Sequence, residues 1–155
     1  MKKYFENLFE FNSWANDKVI EKIMLLNSSE DEIIKLMSHI ISAQDTWLER
    51  IKGKQNYSID IWEIFTIQEL QILSDNSSKS WKKFIKKINA SDMEKICIYK
   101  NSKRKIFNNQ FHDIFTHVIN HSSYHRAQIN LLLKSKNIGP AEIDYILFER
   151  EKLNF

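Results

Sequence analysis

The sequence predicts an all-α fold: an up-down four-helix bundle with a small β-hairpin before the last long helix and a short C-terminal helix. Three observations carry this expectation. The 155 residues include only 2 glycines and 1 proline, too few punctuators for a protein built of many short strands. Apolar residues recur at spacings of three and four through four long segments, the pattern of helices that each bury one face. Capping signals stand between these segments. The length suits one domain, residues 1–155, large enough to bury about two-thirds of the surface its unfolded chain exposes.

The first helix is expected from about Lys3 to Leu26, with Phe5, Leu8, Phe11, Trp14 or Ala15, Val19, Ile23 and Leu26 as its stripe and Asn27-Ser28-Ser29 as its stop. The second opens on Ser29-Glu30-Asp31-Glu32, a capping box in which the serine hydroxyl and the Glu32 carboxylate satisfy exposed backbone N–H groups. Ile33, Met37, Ile40, Trp47 and Ile51 form its stripe, and Gly53 marks its end. A further box, Thr66-Ile67-Gln68-Glu69, starts the third helix, which continues through Leu70, Leu73, Trp81, Phe84 and Ile88 to about Asn89. Between Lys95 and Phe107, β-branched and aromatic residues flank Asn101-Ser102 and suggest the hairpin. The fourth helix runs from Asn109 or Asp113 to Lys136, where Asn137-Ile138-Gly139-Pro140 stops it, with the glycine expected in the left-handed cap. Ile143 to Glu151 is expected to form a last short helix folded back on the bundle.

Composition narrows the function classes. No apolar stretch approaches the roughly 20 residues that a membrane span needs, and no apolar core follows Met1-Lys2-Lys3 as in a signal peptide. A cytoplasmic protein is expected. The single cysteine, Cys97, leaves no intrachain disulfide and no cysteine-based zinc cluster, so a metal would need histidine or carboxylate ligands. Net charge is only +3, and the lysines of Lys79 to Lys87 alternate with Trp81, Phe84 and Ile85 as on the wet face of an amphipathic helix. Nucleic acid is not expected as a partner. Gly-rich phosphate loops, Glu-x-x-His pairs and His-Glu-x-x-His are all missing, which removes nucleotide loops, di-iron carboxylate bundles and zinc peptidases.

His117, His121 and His125, three of the five histidines, stand four residues apart. On a helix they share one face, and two neighbours of such a run can bind one ion. All three cannot. His117 and His125 are separated by a rise of roughly 12 Å, whereas a metal reaches nitrogen at about 2.0–2.1 Å. Ile114, Val118, His121, His125, Gln128 and Leu132 follow the spacing of a packing seam, which selects His121 and His125 and leaves His117 on the flank. A third ligand must come from elsewhere. His112 starts the same helix, too far from the pair, while His39 lies in the second helix beside Leu36 and Ala43. Spacing alone does not choose between a metal site and buried, hydrogen-bonded histidines.

Phe11-Asn12-Ser13-Trp14-Ala15-Asn16, His39 through Ile51, and His117 through Gln128 resemble, in order and spacing, the DinB-like family of metal-binding four-helix bundles, which includes bacterial thiol-dependent S-transferases. The similarity covers nearly the whole chain. It implies a three-histidine site of His39, His121 and His125, with His117 beside it, holding one divalent ion, zinc or nickel. Ala127 departs from the family, which often has glycine there, and alanine suits a helix better. Three neutral imidazoles leave coordination positions open, as catalytic sites require.

The leading expectation is a metal-dependent enzyme acting on a small molecule, as a hydrolase or as a transferase of a low-molecular-weight thiol. Gln44, Trp47, Tyr124 and Arg126 are candidates to line its pocket, and the Tyr57 to Phe65 connection, with Trp62, to cover the mouth. A non-catalytic metal-binding or stress-response protein is the second reading, and a metal-free bundle the third. The sequence leaves the oligomeric state open; the resemblance to proteins among which dimers are common implies a homodimer, for which an apolar face of the first helix could serve.

Overall fold

The computed structural model describes residues 1–26, 32–54, 60–101 and 103–153. Helix α1 (Lys2–Ile23) is followed by α2 (Glu32–Ile51), α3 (Ile67–Lys87), a 3-10 turn (Ala90–Glu94), strands β1 (Ile96–Lys100) and β2 (Ile106–Gln110), the long α4 (Phe111–Ser135) and the short α5 (Tyr145–Lys152). The predicted all-α bundle, hairpin and C-terminal helix are all present. The serine box expected before α2 lies outside the described residues.

Around the bundle the helices follow the order α1, α3, α2, α4, so α1 packs on α3 and α4 while α1 and α2 face each other across the diagonal. The histidine-bearing helices α2 and α4 are therefore direct neighbours. Antiparallel β1 and β2 pair from Ile96 opposite Gln110 to Lys100 opposite Ile106, and the ribbon touches α2 through β1 and α4 through β2.

Local chemistry explains where the helices begin and end. Thr66 accepts from the Glu69 N–H while the Glu69 carboxylate accepts from the Thr66 N–H, completing the predicted box at α3. Gly53 takes φ +75° after α2, and the Lys54 and Gly53 N–H groups reach back to the Glu49 and Arg50 carbonyls, a Schellman closure. At the end of α4 the same closure is made differently from expectation. Asn137, not Gly139, adopts the left-handed conformation at φ 58°, and Ile138 N–H bonds the Leu133 carbonyl at 3.0 Å. The motif needs its positive φ two residues after the last helical residue, Ser135, and Asn is the residue there that tolerates it.

The interior falls into two apolar clusters with a polar stratum between them. Phe5, Phe9, Trp81, Phe111 and Phe115 anchor one cluster, with the Phe9 and Trp81 rings stacked at 4.6 Å. Val19, Ile23, Ile33, Met37, Leu70 and Leu133 build the other. Between them lie buried Asn12 and Asn16 of α1, Ser42 and Gln44 of α2, Ser74 and Ser77 of α3, and Ser122 and Arg126 of α4. Helix α5 adds Phe148 against Phe11 and Trp14, covering that side of α1.

Candidate metal centre

Helix α4 buries Val118, Ser122, Arg126, Ile129 and Leu133, a stripe turned slightly from the predicted seam. His121 and His125 occupy its border and are half-buried. The difference arises because polar Ser122 and Arg126, which the apolar seam left out, point into the polar stratum. His39 projects from α2 toward the same border and is 6% exposed.

Among the described residues, the ligand atoms of His39, His121 and His125 all lie within 4.8 Å of one another. The His39 and His121 Nε2 atoms are 3.2 Å apart. Two nitrogens bound to one tetrahedral ion at about 2.05 Å would stand about 3.3 Å apart, so this pair is already at ligand spacing. A hydrogen bond between two neutral imidazoles gives the same distance for one pair, but it does not account for a third ring. The His125 ring centre lies 5.0 Å from that of His39 and 4.5 Å from that of His121.

The far sides of the rings are held as well. His39 Nδ1–H donates to the Ile61 carbonyl at 2.7 Å, leaving its Nε2 as the lone-pair nitrogen that faces His121. His125 Nδ1 lies 2.7 Å from Gln128 Oε1, one helical turn on, which fixes the tautomer with Nε2 unprotonated. Trp62 stacks on His39 with ring centres 3.9 Å apart and planes 7° from parallel. Burial lowers the pKa of His39, and burial together with the neighbouring His125, His39 and His117 lowers that of His121 to about 4. Neutral imidazole is the ligating form, so the pocket favours the protonation state that binds a metal. The donor set and its spacing fit one divalent ion.

The other predicted site residues take different places. His117 is exposed on the flank, its ring 5.6 Å from His121 and 5.1 Å from Trp47. Burial, then the charge of Arg50, lowers its pKa. Tyr124 is 64% exposed and meets the His125 ring edge to face. Gln44 is buried and donates to Ser122 Oγ at 3.3 Å. Arg126 is also buried, and turns toward α1 to donate to Asn12 Oδ1 at 2.6 Å and Asn16 Oδ1 at 2.7 Å. It ties α4 to α1 rather than facing the ring cluster. His112 stays apart at the start of α4, bonded to Gln110.

Fold and site together define a helical bundle whose neighbouring helices bring three histidines close enough to hold a metal ion. The model of the DinB family matches residues 1–153, and the chain belongs to that family. It is 23% identical over 165 residues to Protein DinB of Bacillus subtilis (strain 168), an alignment covering 96% of this chain and 95% of that protein. The crystal structure of a DinB-like protein from Bacillus cereus ATCC 10987 superposes with a TM-score of 0.65 at 12% identity, over 92% of this chain and 94% of the other. Among the described residues, no helix is long and apolar enough to cross a membrane.

Proposed function

We propose that the protein is a one-domain metal-dependent enzyme in which His39, His121 and His125 hold one divalent ion and a small-molecule substrate reacts beside it. The observation that carries this reading is the convergence of three imidazoles from two helices at ligand spacing. With three protein ligands an ion keeps positions open, and there it supplies Lewis acidity and lowers the pKa of a water or a thiol. Zinc and nickel are both compatible with an all-imidazole set.

The chain's own residues account for orientation. Ile61 and Gln128 fix the tautomers of His39 and His125, Trp62 holds the His39 ring flat, Tyr124 packs on His125, and Trp47 packs on the neighbouring His117. The polar stratum beneath, with Gln44 on Ser122 and Arg126 on Asn12 and Asn16, locks α4 in rotation about its axis. Two reactions suit such a centre: hydrolysis by an activated water, and transfer of a low-molecular-weight thiol to an electrophile. A non-catalytic metal-binding role in stress response is the alternative, favoured by the exposure of His117 and Tyr124 beside the cluster.

The reading includes a cytoplasmic location, no nucleic-acid partner and a homodimer. With α5 covering the Phe11 and Trp14 side of α1, an apolar surface available for dimer contact is the ribbon face bearing Ile96, Ile98 and Ile106, all more than half exposed. Elemental analysis of untagged protein tests the central claim. About one zinc or nickel per chain is expected, with loss in His121→Ala; a metal-free wild type, or full occupancy in that variant, would overturn it.

A further inference from the structure

Not all lysines of the run in α3 belong to its outer face. Lys82 and Lys86, one turn apart, line a pocket of about 310 Å³ formed by α1, α3 and the end of α5. None of these helices carries a histidine, so the pocket is separate from the candidate metal centre. Its floor is Phe9 and Ile85, both buried. The α5 side is held in place: Asn7 Nδ2 donates to Tyr145 Oη and to Glu149 Oε1, each at 2.6 Å, and Lys152 donates to Glu10 at 3.0 Å. Lys2 Nζ donates to the Lys86 carbonyl at 2.9 Å, which pins the start of α1 on the end of α3.

The charges that line the pocket do not cancel. Lys152 pairs with Glu10, and Glu6 faces Lys2 at 4.0 Å from outside the pocket. Lys3 of α1 and Lys82 and Lys86 of α3 make no ion pair among the described residues, although Lys82 also feels half-buried Asp17 farther along α1. The dipole of α3 favours cations in its last turn, which accounts for Lys86 and Lys87. It does not account for Lys82, which is half-buried and one turn earlier. Lys3 stands in the first turn of α1, where the dipole disfavours a cation.

We propose that this pocket binds a small phosphate monoester, with the phosphoryl group among Lys3, Lys82 and Lys86 and the apolar body on Phe9 and Ile85. A phosphate monoester carries close to two negative charges near neutral pH and offers three acceptor oxygens, whereas a carboxylate brings one charge to three ammonium groups. Lysine binds phosphate as a point charge, so three lysines from two helices serve without a fixed fork. The apolar floor selects an ester over free phosphate. The volume, at the lower end of the range for small-molecule sites, suits an ester of about the size of a single aromatic ring.

The test is calorimetric titration of the full-length protein with phenyl phosphate, and with benzoate and inorganic phosphate for comparison. Phenyl phosphate should saturate one site per chain and bind about tenfold more tightly than either of the others. Lys82→Gln should weaken it by about tenfold, and Lys86→Gln, at an exposed position, should do the same with less risk to the fold. Circular dichroism checks that helix content is unchanged in each variant. Lys83→Gln removes the same charge from the outer face, and His121→Ala removes a histidine of the cluster; both should leave the affinity within about twofold, well inside the loss of one charged hydrogen bond. No saturable binding of phenyl phosphate, equal affinity for benzoate or inorganic phosphate, or retained affinity in folded Lys82→Gln and Lys86→Gln would each overturn the proposal. So would an equal loss in Lys83→Gln, which would mean unspecific attraction of anions to α3, or a loss in His121→Ala, which would place the ligand at the histidines. Displacement of phenyl phosphate by a short DNA duplex at equal phosphate concentration would assign the lysines to a nucleic-acid surface and overturn it as well.

Discussion

His125 shows how far a residue's role depends on its far side. Its Nδ1 is fixed by Gln128, three residues on, as His39 Nδ1 is fixed by the Ile61 carbonyl, and such supporting bonds typically govern affinity by 10- to 100-fold. Gln128→Leu keeps the apolar volume and removes the acceptor. It should weaken metal binding by about that factor with helix content unchanged, measured by competition with a chromophoric chelator. Of these features, the meeting of His39, His121 and His125 was legible from the four-residue spacing together with the family resemblance. The Gln128 contact was half legible: its place three residues after His125 signals a shared helix face, but the sequence reads it as part of an apolar seam. Ile61 was not legible at all, because it acts through a backbone carbonyl in a connection, where residue type carries no signal.

At the level of elements, boundaries were legible wherever a side chain makes the cap. Thr66 and Glu69 announce the start of α3, and the glycine after α2 announces its end. The rotation of α4 was harder to read, since its inward stripe runs through Ser122 and Arg126, residues that ordinarily face water. The partners of Arg126, Asn12 and Asn16, lie more than 100 positions away in the chain, and Gln44, which donates to Ser122, lies 78 away, beyond the reach of any local pattern. The C-terminal cap of α4 gives a sharp contrast between neighbours. With φ at 58°, Asn137→Ala should cost about 1 kcal/mol, the usual strain of an alanine in the left-handed region, while Asn137→Gly should be neutral or slightly stabilising. Gly139→Ala should be silent, because a Cβ there meets nothing within 4 Å. Urea unfolding of the three variants at neutral pH checks all of this.

For the whole molecule, the histidine cluster couples stability to acidity. His39, His117 and His121 have pKa values lowered by burial, His121 to about 4, against about 6.5 in an unfolded chain. Between those values the unfolded chain binds more protons, so chelated protein should lose stability as pH falls through that window and be indifferent to the cluster above it. Half-buried Asp17 and Asp45, with pKa values raised by desolvation, oppose this at its lower end. The histidine contribution is therefore read as the difference between wild type and His121→Gln in urea midpoints at pH 7.5 and 5. A steeper decline in the wild type is expected, and parallel curves would contradict it. The bundle itself was legible because four apolar stripes leave few other packings; its diagonal placement of α1 and α2 was not, since each stripe fits more than one neighbour. Trp62 and Ile61 have a last consequence. Both grip His39 from the segment that follows α2, so that segment sets the position of the ring and of the surface around it with a single mechanical support. A substitution there moves the ring and its surroundings together, so the reach of His39 toward His121 and the stacking that covers it cannot be tuned apart.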